Sequence, residues 1–328
     1  MRYLYVLAFV AIFLAVIFSI FESQKSLSSR EGISRTITVS TGTISSSTPI
    51  SATYSGQISA QISAVQTATT TSADICSGLP QSQLDTATTI TNGPIISIDF
   101  DDGFISEYNN ALSIINGAGF PTTQYIITGF LTREGRVNKQ QILAMQAAGN
   151  EIGAHTRTHP YLAKIPEAQA RDEICGSKKD LIAIGITPKT LAYPEGNFDP
   201  TVENIVKQAG FLGARTTEAG LNNSGTNRFA LRSYQMNAST TFAQVKFVID
   251  QGIADKEWLT LVFHRVDENG NPISVTHQLI QQVVSYIKST GTPVVTESQG
   301  LAIMNNITGV ISDLKSYKPP STTPTANK

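Results

Sequence analysis

The sequence predicts an α/β fold in which repeated strand and helix units form a parallel sheet, open or closed into a barrel. From Asn92 onward, short runs rich in β-branched residues alternate with longer stretches of helical period, most of which end at glycine. Acidic and imidazole side chains follow directly after several of the short runs. Alternating strands and helices imply parallel pairing, and the carboxyl ends of such strands share one edge where chemistry gathers.

The first strand of this series covers residues 94–98 and follows the turn pair Asn-Gly at 92–93. It ends in three carboxylates, Asp99, Asp101 and Asp102. Unpaired buried carboxylates are too costly to lie on a core strand without a purpose. The strand tip is therefore predicted to be a functional site.

The remaining elements follow in order. The other predicted strands are 122–128, 151–154, 190–193, 212–215, 259–263 and 293–296, and the predicted helices are 106–116, 139–148, 167–184, 200–209, 241–254, 276–289 and 298–305. Asp199 and Pro200 fit the N-cap and first turn of one helix, and Gly149 and Gly210 fit C-terminal stops. The predicted α/β domain is 92–306. It is followed by a Pro- and Thr-rich tail, 307–328, of which residues 312–328 are predicted to be unstructured.

The N-terminal segment is predicted to be a membrane anchor. Residues 3–21 are almost entirely apolar and would span about 28 Å as a helix, close to the thickness of a hydrocarbon core. A cleaved signal peptide is the alternative, but the exit at 18–23 lacks an Ala-x-Ala pattern. We predict an anchor at 1–23 with the domain extracytoplasmic, or a secreted domain if the segment is cleaved.

Residues 24–91 join this segment to the domain and are rich in Ser and Thr, which predicts a stalk or linker. A net charge of −1 gives no basic surplus, which argues against a nucleic-acid partner. The two cysteines, Cys76 and Cys175, either bridge the end of the stalk to a helix of the domain or remain as buried thiols.

The chain has four histidines, and His155 and His159 stand at i and i+4. On a helix or first turn this spacing places two imidazoles on one face, where both can bind one metal ion. One carboxylate added to two histidines makes a site with open positions, suited to Zn²⁺ or a similar divalent ion.

Four motifs occur in a fixed order: Phe-Asp-Asp-Gly at 100–103, His-Thr-Arg-Thr-His at 155–159, Tyr-Pro-Glu-Gly at 193–196 and Leu-Val-Phe-His at 261–264. Together they resemble the motifs of the polysaccharide deacetylase family, also called the NodB homology domain or carbohydrate esterase family 4. The resemblance extends over about residues 94–304. It implies a distorted (β/α) barrel of the NodB type and metal-dependent removal of acetyl groups from N-acetylated sugars.

The resemblance assigns roles to individual residues. Asp102, His155 and His159 would hold the metal, most simply Zn²⁺, with Co²⁺ and Ni²⁺ as alternatives. Asp101 would be the general base that takes a proton as metal-activated water attacks the acetyl carbonyl, and His264 the general acid that protonates the departing amine.

Three further residues are assigned to the substrate pocket by the same resemblance. The backbone N–H of Tyr193, beside the motif proline Pro194, would help to bind the oxyanion, and Leu261 would help to line the acetyl pocket.

The sequence departs from the family pattern at two positions. Asp99 replaces the usual threonine and should lie on the same face as Asp101, so repulsion favours protonation of one of the two carboxylates. Ala192 replaces an arginine that many members carry. We hypothesise that Arg232 supplies the missing cation to Asp101 or Asp99.

These observations predict a membrane-anchored hydrolase of carbon–nitrogen bonds, a polysaccharide N-deacetylase acting on acetylated polysaccharide or cell-envelope glycan. An O-acetyl esterase needs the same machinery and is the nearer alternative. A catalytically silent module that binds glycan is the other. Catalysis is favoured because base, metal ligands and acid are all present.

Overall fold

The computed structural model describes residues 75–82 and 93–304. The predicted anchor 1–23, the tail 307–328 and most of the predicted stalk lie outside these ranges. Within the two ranges, no helix has both the length and the apolar character that a membrane crossing requires. What the structure defines is the α/β domain and one short segment that precedes it.

Seven parallel strands form one curled sheet in the order β5-β4-β3-β2-β1-β7-β6. Their bounds are β1 (Ile95–Phe100), β2 (Thr123–Ile126), β3 (Glu151–Ala154), β4 (Thr190–Ala192), β5 (Gly213–Arg215), β6 (Tyr234–Gln235) and β7 (Trp258–Phe263). Leu231, just before β6, forms a parallel bridge with Arg215 of β5, so the two edges of the sheet meet. A separate pair, β8 (Arg265–Val266) and β9 (Ser274–Val275), follows β7.

Helices connect the strands and cover the outside of the curl. They are α1 (Ile105–Asn110), α2 (Leu112–Gly117), α3 (Lys139–Ala147), α4 (Glu167–Ala183), α5 (Pro200–Gln208), α6 (Phe242–Asp255), α7 (His277–Thr290) and α8 (Glu297–Met304). The predicted helix 106–116 is broken at Ala111, whose φ of −113° departs from the helical value. The predicted strand 293–296 is reduced to one bridge, between Val294 and Ile96.

Strand β1 lies at the centre of the sheet and pairs with β7 along its whole length. Because strand residues alternate between faces, Ile96, Ile98 and Phe100 pack into an apolar cluster with residues of α6 and α7. The intervening Ser97 and Asp99 are fully buried on the opposite face. The inside of the curl is thus polar, and β1 delivers its acidic tip to the carboxyl edge of the sheet.

Residues 75–82 were predicted to be part of the stalk, but they pack on the domain. A disulfide joins Cys76 to Cys175 of α4, with the two Cα atoms 5.1 Å apart, which resolves the question that the sequence left open. The Lys178 ammonium, also on α4, donates to the Pro80 carbonyl and the Ser82 hydroxyl at 2.9 and 3.0 Å. Buried ammonium groups need oxygen partners, and this docked segment supplies two of them.

Candidate metal centre and active site

The predicted site residues gather at one edge of the sheet. Asp101 and Asp102 follow β1, His155 follows β3, Tyr193 follows β4 and His264 follows β7. The Asp101 N–H donates to the carbonyl of Phe263 at 3.0 Å, and the His155 N–H to that of Ile126 at 3.0 Å. Parallel pairing thereby continues past the strand ends and fixes the side chains at the carboxyl edge, as predicted.

Asp102, His155 and His159 converge on one point. Asp102 Oδ1 lies 3.6 Å from His155 Nε2 and 3.5 Å from His159 Nε2. One ligand atom from each residue lies within 4.8 Å of the others, and among the described residues this is the group that could hold a metal ion. Their metal-binding role remains a prediction.

The donor atoms fit a divalent metal. His155 Nδ1 lies 2.8 Å from the Ala192 carbonyl, which fixes the tautomer with a proton on Nδ1 and leaves Nε2 as a lone-pair donor. Burial lowers the pKa of His155, so the ring is neutral at pH 7. Asp102 Oδ1 is buried and accepts no hydrogen bond from any described residue. Two imidazole nitrogens and one carboxylate oxygen form a donor set suited to Zn²⁺.

The two histidines lie in a loop and not on a helix, which corrects one of the two placements considered from the sequence. Thr156 and His159 have φ values of 64° and 65°, and Asp102 has a φ of 75°. Each such residue costs on the order of 1–3 kcal/mol. Gly103 continues the turn with a φ of 65°, which glycine adopts readily. Left-handed backbone at these positions turns Asp102 and His159 toward the common point.

A buried glutamate holds the histidine loop in this strained shape. Glu173 of α4 accepts hydrogen bonds through Oε2 from the backbone N–H groups of Arg157 and Thr158, both at 2.8 Å, and through Oε1 from the Thr158 hydroxyl at 2.6 Å. The Arg157 side chain donates to Asp180 at 2.8 and 2.9 Å. Sequence reasoning did not identify Glu173, because it lies on a separate helix with no motif of its own.

We expect Glu173→Gln to weaken metal binding by about 10- to 100-fold, because an amide cannot accept all three hydrogen bonds and the loop loses its shape. Competition with a fluorescent chelator measures the Zn²⁺ affinity. Glu167→Gln, an exposed change on the same helix, is the matched control and should leave the affinity unchanged. Equal affinities for the two variants would show that the loop keeps its shape without Glu173.

Arg215 of β5 binds both acidic residues beneath the metal centre. Its Nε donates to Asp99 Oδ2 at 3.1 Å, and its Nη2 donates to Asp101 Oδ1. All three side chains are nearly inaccessible to solvent. Asp99 and Asp101 therefore share one face, as predicted, and share one guanidinium.

Asp99, Asp101 and Arg215 shift one another's pKa values. Burial raises the pKa of Asp99 to about 8, partly offset by Arg215 and increased by repulsion from Asp101 and Glu151. Burial acts the same way on Asp101, but attraction from Arg215 outweighs it and the pKa of Asp101 lies below its ordinary value. Asp99 is thus the protonated member of the pair at neutral pH, and Asp101 the ionised one.

The Arg232 hypothesis is wrong. Arg232 is about half exposed and pairs with Glu218 at 3.1 Å. Strand pairing explains the error, because β5 follows β4 directly in the sheet and presents Arg215 to the inside, whereas Arg232 points outward from the segment before β6.

Removal of the Arg215 cation should destabilise the fold. We expect Arg215→Met to lower the free energy of unfolding by about 3–5 kcal/mol at pH 7, because Asp101 is left buried without a counter-ion. Urea denaturation measures this change. The exposed Arg232→Met is the control and should change the free energy by about 0.5 kcal/mol or less. A similar loss in both variants would contradict the assignment of the cation to Arg215.

Tyr193 does not offer the predicted oxyanion contact. Its backbone N–H donates to the Arg215 carbonyl at 3.0 Å as part of the β4–β5 pairing, so the prediction is wrong. Pro194 is buried and has no N–H. The next N–H, that of Glu195, has no hydrogen-bond partner within residues 75–82 and 93–304. Glu195 also has a left-handed φ of 53°, which turns the backbone sharply after β4.

Leu261 is not placed to line an acetyl pocket. It is fully buried in the apolar cluster of Ile98 and Phe263, on the helix-covered face of the sheet. Alternation along β7 explains this, because Leu261 and His264 are three residues apart and so lie on opposite faces. Val262 lies two residues before His264 and so shares its face of the sheet, the inner one. It is fully buried and is the aliphatic residue of that face nearest in sequence to His264.

His264 comes directly after β7 and is partly exposed at the carboxyl edge. It lies near enough to Asp101 to contribute to the lowered pKa of that carboxyl. Its Nδ1 is buried and bonds to no described residue. Base and acid candidates therefore lie on neighbouring strand ends, β1 and β7.

Comparison with known families agrees with this geometry. Residues 89–214 match the family model for polysaccharide deacetylase. This region is therefore similar in sequence to polysaccharide deacetylases. The match covers β1 to β4, most of β5 and the first three motifs, and it ends one residue before Arg215, so both Arg215 and His264 lie outside it.

Individual relatives are distant. The Bacillus subtilis protein YxkH, named as a provisional polysaccharide deacetylase, is 24% identical over 143 residues, which are 43% of this chain and 51% of YxkH. The chain therefore spans about half the length of that curated relative.

Among solved structures, the peptidoglycan deacetylase PdaC of Bacillus subtilis aligns at 16% identity and a TM-score of 0.45, over 66% of this chain and 94% of PdaC. A polysaccharide deacetylase from Bacillus cereus aligns at 26% identity and a TM-score of 0.43, over 47% and 50% of the two chains. The similarity to polysaccharide deacetylases rests on the family match over residues 89–214.

Proposed function

We propose that this protein is a metal-dependent hydrolase that removes acetyl groups from N-acetylated polysaccharide. The observation that carries the proposal is the convergence of Asp102, His155 and His159, with one ligand atom from each within 4.8 Å of the others. Asp101 and His264 flank this point on the adjacent strand ends. The polysaccharide deacetylase family match over residues 89–214 supports the same reaction class.

The residues divide the chemistry between them. A bound divalent ion, most simply Zn²⁺, supplies Lewis acidity that activates water and polarises the acetyl carbonyl. Asp101 accepts the proton from the attacking water, because Arg215 keeps its carboxylate ionised while binding only Oδ1. His264 donates a proton to the departing amine nitrogen, which is too basic to leave unprotonated.

The oxyanion and the acetyl methyl group are assigned to new partners. The Glu195 N–H takes the place expected for Tyr193, since it lies at the same strand end and no described residue uses it. Val262 takes the place expected for Leu261, because it faces the inside of the curl next to His264.

The proposed location is extracytoplasmic, with residues 1–23 as the anchor or as a cleaved leader. The Cys76–Cys175 disulfide supports this location, since disulfides persist in oxidising compartments. The docked segment would then connect the domain to the stalk. Protease treatment of intact cells tests the location: the domain should be degraded without lysis, and protection until lysis would refute it.

A panel of substrates tests the reaction. Acetate release is measured from chitin oligomers, peptidoglycan and acetylated xylan. Release from either of the first two, which carry N-acetyl groups, is the expected result. Release from acetylated xylan alone would identify an O-acetyl esterase instead. Binding without release from any of the three would indicate a glycan-binding module.

A further inference from the structure

Three arginines and two phenylalanines alternate in one stack beside the metal centre. The Arg133 guanidinium lies 3.6 Å from the ring centre of Phe130, and Arg136 lies 5.3 Å from that ring and 3.7 Å from the ring of Phe104. Arg265 lies 4.9 Å from the same Phe104 ring. We call these five residues the arginine–phenylalanine stack. Cation–π contacts of this kind hold guanidinium groups in fixed positions.

The stack adjoins both ends of the proposed catalytic set. Arg136 donates through Nη1 to the Asp102 carbonyl at 2.7 Å, and Phe104 follows Asp102 by two residues. Arg265, at the other end of the stack, is the residue directly after His264. A glycan whose acetyl group lies between Asp102 and His264 would therefore extend over or along these arginines.

The positive charge of the stack is only partly neutralised. Arg265 pairs with Asp267 at 2.9 Å. The carboxylate nearest to Arg136 is Asp102, at 3.9 Å, whose Oδ1 faces the two histidines. Arg133 is exposed and forms no ion pair within the described part of the chain. Within the described residues, the three guanidinium groups form one ion pair with a carboxylate outside the metal centre, that of Arg265 with Asp267.

The three guanidinium groups of the stack repel one another, and a bound anion would reduce this repulsion. Arg136 shares the Phe130 ring with Arg133 and the Phe104 ring with Arg265, so three like charges lie close together. Like charges at such distances destabilise one another. A ligand anion would relieve the repulsion, and guanidinium groups bind carboxylate and phosphate through paired hydrogen bonds.

We propose that the arginine–phenylalanine stack binds an anionic group, carboxylate or phosphate, on the glycan next to the acetylated sugar. The substrate is then an acidic glycan and not a neutral polymer. This inference rests on the proposed deacetylase function, since it assigns the sugar that flanks the reacting acetyl group. Arg133 contributes through direct attraction, because it is the member with no carboxylate partner among the described residues.

Binding measurements test the proposal independently of turnover. Calorimetric titration of the full chain compares three N-acetylglucosamine oligomers of similar length: chitotetraose, a hyaluronan tetrasaccharide that carries carboxylates, and an oligomer substituted with glycerol phosphate. In 50 mM salt we expect at least one acidic oligomer to bind about tenfold more tightly than chitotetraose, and this advantage should shrink strongly in 500 mM salt. The tighter of the two acidic ligands identifies carboxylate or phosphate as the preferred group.

Arg133→Gln is the decisive variant. It should weaken binding of the preferred acidic oligomer by about three- to tenfold and leave chitotetraose binding unchanged. The matched control is Arg228→Gln, another exposed arginine stacked on a phenylalanine, Phe229, at 4.9 Å but outside the stack. This control should leave binding of both oligomers unchanged.

Two outcomes would overturn the proposal. One is that neither acidic oligomer binds more tightly than chitotetraose. The other is that Arg133→Gln and Arg228→Gln have equal effects on acidic binding, which would indicate only general charge attraction. Failure of the deacetylase function is seen separately, as absence of acetate release from all three oligomers with Zn²⁺ present.

Discussion

Asp102→Asn should lose Zn²⁺ binding and reduce acetate release by about a thousandfold or more, because an amide oxygen is a far weaker ligand than a carboxylate. Asparagine is the most informative substitution here, since it tolerates the left-handed φ of 75° at this position and keeps the shape of the side chain. The loss would then come from the missing ligand and not from a misfolded turn.

Zn²⁺ content by mass spectrometry of the intact protein and initial rates of acetate release measure the two effects. Asp255→Asn, an exposed change at the end of α6, is the control and should retain both metal and activity. An Asp102→Asn protein that binds Zn²⁺ as tightly as the parent chain would remove Asp102 from the metal site.

Asp101→Asn should separate metal binding from turnover. We expect the variant to bind Zn²⁺ normally and to lose about 10²- to 10⁴-fold in kcat, because an amide cannot accept the proton from the attacking water. Arg215 loses its ionised partner in this variant but keeps its hydrogen bond to Asp99, whose ionisation becomes easier once repulsion from Asp101 is removed, so the fold should survive.

The readout is a pair of measurements on the same preparation, Zn²⁺ affinity and kcat. If both fall together, Asp101 acts on the metal site and is not a base. If kcat stays within about twofold of the parent value, proton transfer uses another group.

The sequence predicts much of this site because its chemistry is local. Asp101 and Asp102 are adjacent, and His155 and His159 are four residues apart, so each motif carries its own ligands within one loop. The carboxyl edge of a parallel sheet then brings the loops together, and alternation of strands with helices is visible without a structure.

Arg215 could not be found in the same way. It reaches Asp101 across the inside of the curled sheet from a position 114 residues away in sequence. The cation expected at Ala192 of β4 is supplied by the neighbouring strand β5, and only the strand order shows which side chains face that space. Glu173 was missed for the same reason, since its contacts with the histidine loop come from α4.

The errors at Tyr193 and Leu261 have a different cause. Both followed from matching a motif by residue type, while strand geometry decides what each position can do. Hydrogen bonding to β5 occupies the Tyr193 N–H, and strand parity turns Leu261 away from His264. The parity of Val262 was available from the sequence, since it lies two residues before His264.

The measurement that tests the central claim most directly is acetate release from an N-acetylglucosamine oligomer by one preparation in three states: as purified, after removal of divalent metal with a chelator, and after addition of one equivalent of Zn²⁺. The site formed by Asp102, His155 and His159 predicts activity that is lost on chelation and restored by Zn²⁺ in the parent chain, with no restoration in Asp102→Asn. Acetate release that continues at the full rate in the chelated protein would contradict a metal-dependent deacetylase.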